Sequence, residues 1–162
     1  MLGMTTVVLA LAQAQPTAAC PITPLALPAE LAGWRAGRVA TASAQATGAP
    51  ALSPGQGTRV ALHPIAHVSL PVRPAKPGPG GHAGLLAFHV PRAGRYRVLQ
   101  GAPGWMEMVR NGRAIASTTH GHGPQCSGIR KMVDFDLGPG RHVLELVGVA
   151  DPVVTVMVQR ID

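Results

Sequence analysis

The run Thr118-Thr-His-Gly-His-Gly-Pro-Gln-Cys-Ser-Gly128 holds the densest set of chemistry-bearing side chains in the chain. Side chains alternate along an extended backbone, so His120 and His122 project to one side and supply two imidazoles for Fe, Cu or Zn. A metal centre needs a further ligand, for which His82, His89, His142 or a reduced Cys126 are the sources. The plainer reading is that the glycines serve a turn and both imidazoles are ordinary loop side chains. Asp134 and Asp136 share a strand face, and two carboxylates that close raise one pKa. Solvent exposure between Val133, Phe135 and Leu137 is the simpler expectation for them, with Arg130 and Lys131 just upstream as partners. Ser127 stands outside any Gly-x-Ser-x-Gly elbow, and no Ser, His and Asp arrangement has the spacing of a nucleophilic set, so the catalytic residues stay unassigned. Trp105 is the one aromatic placed to serve as a ligand platform beside the His120 loop.

The two cysteines are Cys20 and Cys126. Upstream of Cys20, residues 1–19 carry no charge, with an apolar stretch from Thr5 to Ala12 and small residues at Ala12, Ala14, Ala18 and Ala19. That is the pattern of a signal peptide, and Gln13, Gln15 and Pro16 cut the run too short for a transmembrane span. The mature chain is then periplasmic or secreted. An oxidising compartment favours a Cys20–Cys126 disulfide, whose loop of about 100 residues is worth roughly 4 to 5 kcal/mol in the chain-entropy model. Lipid attachment at Cys20 is the alternative, although Thr17 stands where bacterial lipoproteins usually carry Leu.

The elements that must hold these residues are strands. The chain of 162 residues carries 20 Gly and 16 Pro but only 2 Trp, 2 Phe and 1 Tyr, with 46% hydrophobic and 13% charged residues. Such a composition builds one folded domain rich in turns and argues against helical bundles and disorder. Residues 20–57 read as an Ala/Pro-rich extended arm, in which Pro28-Ala-Glu-Leu-Ala-Gly-Trp34 forms a helical turn that docks Leu31 and Trp34 together. Pro71 to Gly81 is a loop. Over 58–162 the text becomes short apolar runs between turns: Thr58–Leu62, Leu85–Val90, Tyr96–Gln100, Trp105–Arg110, Ala114–Thr118, Met132–Leu137, His142–Val149 and Val153–Gln159. Hairpins are expected at Pro91–Gly94, at Asn111-Gly112 and at Gly138-Pro-Gly140. Leu144 and Leu146 alternate with Val143, Glu145 and Val147, so each strand needs to bury one face. About eight short strands give an all-β antiparallel β-sandwich, jelly-roll-like, with an extended N-terminal arm.

Lys and Arg total 14 against 7 acidic residues, a net +7 that the uncharged leader leaves on the mature chain. Nucleic-acid binding calls for basic residues interleaved with exposed aromatics, and only Tyr96 sits among arginines, so nucleic acid is excluded as a partner. Anionic envelope glycans or lipid headgroups fit the charge better, and solubility alone accounts for it most simply.

The stretch from His120 to Phe135, preceded by Trp105 and the Arg110-Asn-Gly-Arg113 turn, resembles a family of small exported bacterial proteins, as do Cys20-Pro21 and Leu27 to Trp34. Some members carry the name homogentisate 1,2-dioxygenase, which implies a non-haem iron enzyme that opens an aromatic ring. That chemistry uses two histidines and a glutamate, with the acid six residues after the first His; here those positions hold Ser69, Arg73, Phe88, Arg95, Cys126, Gly128 and Gly148. The leading expectation is a non-enzymatic ligand-binding or envelope accessory module whose ligand the residues do not name. A metal-dependent dioxygenase built on His120 and His122 is the alternative, and docking of the arm onto an envelope partner is a third.

Overall fold

Alternating apolar positions with frequent turns produce eleven short strands in the computed structural model, which describes residues 19–162. They are β1 (Arg38–Thr41), β2 (Thr58–Ala61), β3 (His63–Pro64), β4 (His82–Val90), β5 (Gly94–Gln100), β6 (Trp105–Arg110), β7 (Arg113–Ile115), β8 (Thr119–Gly121), β9 (Lys131–Leu137), β10 (Gly140–Val149) and β11 (Val153–Arg160). The leader expected over residues 1–19 lies, apart from Ala19, outside the described residues. The first sheet runs β1-β2-β11-β5-β9-β8 and the second β3-β4-β10-β6-β7. Every pairing between strands is antiparallel except β1 with β2.

Stripped of β1, β3 and β8, the strands alternate between layers in the order of a jelly roll, with first, eighth, third and sixth in one sheet and second, seventh, fourth and fifth in the other. That connectivity corrects two expected hairpins. β4 and β5 lie in different sheets, as do β9 and β10, so Pro91–Gly94 and Gly138–Gly140 carry the chain across the sandwich. Turn residues reverse the chain equally well within a layer and between layers. The third hairpin forms: Asn111 and Gly112 have φ of 51° and 71°, and β6 and β7 pair around them. Such positive φ values at both central residues match the twist of the flanking strands.

The arm expected over 20–57 belongs to the sandwich from Ala29 onward. A 3-10 helix, Ala29–Arg35, buries Leu31 and Trp34 against Leu99, Ile129 and Met157 on the outer face of the first sheet. β1 then joins that sheet, and Ser43 and Ala51 bridge to Leu85 and Ala87 of β4. Short Ala side chains give no alternating signal, which hides these contacts in the text of the sequence. The inner faces meet in the main core, built on Phe88, Val98, Met108, Phe135, Leu144, Leu146 and Val156. β10 buries its outer face as well, because Ala46, Ala49, Val68, Leu70 and Val72 pack over Leu85, Val109 and Val143.

Cys20 and Cys126 are joined in a disulfide with Cα atoms 5.4 Å apart, which ties the start of the described chain to the link between β8 and β9. The bond occupies the Cys20 sulfur that lipid attachment would need.

Candidate functional site

Lys131, Val133 and Phe135 follow one another at a spacing of two on β9 and therefore share its inner face. Opposite them, Met106 of β6 and Ile115 of β7 belong to or pack against the same core. The two layers part here, at the end where β7 and β8 are only three residues long, and leave a cleft of about 570 Å³. Its floor is apolar and its rim carries Arg73, Lys76, Lys131 and His120.

Trp105 stands half-buried on that rim. Its Nε1–H donates to Glu107 Oε1 at 2.6 Å, and the same oxygen accepts the Ala75 N–H at 3.2 Å, so the indole and the 71–81 loop share one carboxylate. The chain has two lysines, and both ammonium groups lie over the indole: Lys131 Nζ is 4.7 Å and Lys76 Nζ 5.6 Å from the ring centroid. Lys131 also donates to the Gly104 carbonyl at 3.2 Å. Burial lowers the Lys131 pKa, Lys76 lowers it further, and Glu107 opposes both. Neither lysine nor Arg73 has a carboxylate in ion-pair contact among the described residues.

Behind Glu107 lies a second carboxyl. Glu145 of β10 is directly opposite Glu107 in the register and fully buried. Burial pushes its pKa up to about 7; the Val72 N–H, 2.9 Å from Oε1, pulls the other way, and Glu107 adds a smaller upward push. Its Oε2 has no partner.

His120 lines the cleft, and with His122, Arg130 and Lys131 it also lines an adjoining hollow of about 240 Å³. His120 sits in β8, within the segment expected to be a loop. His122 Nδ1–H donates to the Arg130 carbonyl at 2.8 Å. These residues do not fit an iron centre. The neighbours of the two imidazoles are the cations Arg130 and Lys131, the Cys126 sulfur is bonded to Cys20, and no group of three His, Cys, Asp or Glu converges among the described residues. His82 Nδ1–H donates to the Ala150 carbonyl, His89 is exposed, and His142 is buried with Nδ1 at the Gly140 carbonyl. Burial lowers the His142 pKa.

The acidic pair expected in solvent divides. Asp136 is exposed and meets Arg95 at 3.1 Å, whereas Asp134 is 4% exposed. Arg97 reaches both Asp134 oxygens, at 2.7 and 2.8 Å, and the Thr119 hydroxyl donates to Oδ2 at 2.8 Å. Their partners are thus the arginines of β5, the neighbouring strand, and not Arg130 and Lys131: cross-strand register outweighs nearness in sequence. The pair is structural. A hollow of about 660 Å³ beside Asp136 is bordered by Arg95, Asp136 and Asp162, charges already matched, the first two with each other and Asp162 with Arg160.

Trp105 and His120, singled out from their sequence context, both line this cleft; Arg73, Lys76, Lys131 and the two glutamates do not stand out in the sequence as site residues. The available signals were a chain with only two lysines and a Glu set within each of two apolar strands, Trp-Met-Glu-Met-Val and Val-Leu-Glu-Leu-Val. Among the described residues, no helix is long and apolar enough to cross a membrane. No model of a known protein family matches the chain, and no curated protein does so either.

Proposed function

We propose that this is an exported, non-enzymatic β-sandwich module, periplasmic or secreted, that holds a small ligand in the cleft beside Trp105. The observation that carries the reading is the open mouth between the layers, where an apolar floor meets a rim of cations with no ion-pair partner among the described residues, around one half-buried indole. Ligand sites are concave, mostly apolar and furnished with a few placed polar groups, and this cleft has that make-up. Export rests on the uncharged leader-like segment before Cys20 and on the disulfide, which suits an oxidising compartment.

The test is a set of two-dimensional 1H–15N spectra of the disulfide-intact protein with pooled envelope saccharides, lipid headgroups and small organic acids. At least one pool is expected to move the Trp105 indole N–H resonance saturably. A resonance that no pool moves removes the reading. Elemental analysis of the purified protein is expected to find Fe, Cu and Zn substoichiometric and unaltered in the His120→Ala, His122→Ala double variant. One equivalent of metal lost from that variant would restore the dioxygenase alternative.

A further inference from the structure

Resting on the proposed ligand cleft, we infer that its ligand is an amphipathic anion: a carboxylate or equivalent single head group carried on an apolar tail. The anionic head follows from charge complementarity. Lys76 and Lys131, with Arg73 beside them, gather at one rim, three cations against the single carboxylate of Glu107, which is in ion-pair contact with none of them. Two ammonium groups over one indole repel each other, and the carbonyl of Gly104 offsets only part of the cost of holding Lys131 half-buried. A ligand anion supplies the missing countercharge, in surroundings where a charge-assisted hydrogen bond is stronger than in bulk water.

The apolar tail follows from what lies inward of Lys131. The next two positions on the same face of β9 are Val133 and Phe135, which with Met106 belong to the packed core and show the cleft only their edges, while Ala114, Ile115 and Ala116 of the facing layer are open to it. From the ammonium of Lys131 the lining turns apolar within one strand step, so a tail lies along Ala114, Ile115 and Ala116 with the edges of Val133 and Phe135 beneath it. A hydroxyl-rich ligand would leave its donors unpaired against that floor, at a cost of about 1 to 3 kcal/mol for each buried polar group. A sugar stacked on Trp105 would also have to displace the lysines from the indole.

The probe is sodium decanoate below its micellar concentration, followed through the Trp105 indole N–H resonance and by calorimetry. Saturable binding of one decanoate per chain is expected, at least tenfold tighter than acetate or galacturonate, with decyltrimethylammonium not binding. The Lys76→Met, Lys131→Met double variant should weaken decanoate at least tenfold while its urea midpoint confirms folding. Lys76→Met alone, at an exposed side chain, should weaken it at least threefold and guards against loss of fold in the double variant. Ile115→Asn, which adds polarity without charge, should weaken decanoate tenfold with little effect on acetate. Galacturonate binding as tightly as decanoate would overturn the apolar tail and leave the cleft as a ligand site. Binding to phosphatidylglycerol vesicles without binding to monomeric decanoate would overturn it in favour of a lipid surface. An indole resonance deaf to decanoate but moved by another pool overturns this inference alone; one deaf to every pool overturns the cleft itself.

Discussion

Glu145 and Asp134 are both buried acids, yet their surroundings push them in opposite directions. Asp134 faces the Arg97 guanidinium, whose hydrogen bonds hold its carboxyl below the ordinary value near 3.8, helped by Thr119 and opposed by burial. Its contribution to stability is present above that ordinary value and is lost as pH falls through the depressed folded one. Asp134→Asn keeps the shape but leaves Arg97 uncompensated, and should cost about 3 kcal/mol at pH 7 by urea unfolding. The variant should also lose part of the wild-type decline in stability below pH 4. Glu145 behaves in reverse. The folded chain keeps its proton up to about 7, whereas the unfolded chain releases it near the ordinary 4.5. The stabilisation is therefore complete below about 4.5, fades as pH rises, and is gone above about 7. Glu145→Gln retains an acceptor for the Val72 N–H, so its urea midpoint should change less than the wild type's between pH 4.5 and 7 and exceed it at pH 8. An unaltered pH slope would show that this carboxyl titrates normally. Neither environment was legible in the sequence: Asp134 and Asp136 have the same local spacing, and only the alignment with β5, β8 and their side chains separates them.

Among the elements, those with strong alternation or a marked turn were legible. The eight strands anticipated between Thr58 and Gln159 are the eight of the jelly roll, and Asn111-Gly112 marked the one tight hairpin because its backbone requires positive φ. β1, β3 and β8 escaped notice because their two to four residues carry no apolar rhythm. The 3-10 helix was visible through Leu31 and Trp34, but not the way it docks. Gly57 N–H donates to the Gly33 carbonyl at 2.7 Å, and a Cβ on Gly33 would run into the Gly55 carbonyl oxygen, as one on Gly57 would into that of Trp34. Gly33→Ala and Gly57→Ala should therefore each cost about 1 to 3 kcal/mol, the range for overpacking a close contact. Gly121→Ala, at a position open to solvent, should cost less than 1 kcal/mol by the same urea measurement. Equal losses at all three would mean that the close backbone approaches at Gly33 and Gly57 do not set the effect, because the entropy change of Gly→Ala in the unfolded chain favours the variant.

For the molecule as a whole, the disulfide and the two-layer architecture follow from composition and from the even cysteine count, while the cleft does not. Its lining comes from the 71–81 loop, β6, β7, β8 and β9, segments that become neighbours only once the layers close. The Cys20–Cys126 bond spans 106 positions, so the Cys20→Ala, Cys126→Ala double variant should lose about 2 to 5 kcal/mol and show a lower melting temperature than the oxidised protein. Dithiothreitol should lower the wild-type melting temperature towards that of the variant and leave the variant unmoved. The order of the strands carries one more consequence. β10 is the middle of one layer and β11 lies inside the other, yet both follow the remaining nine along the chain. A chain that lacks them has no spine for either sheet, so neither layer closes until the last strand, Val153–Arg160, is in place.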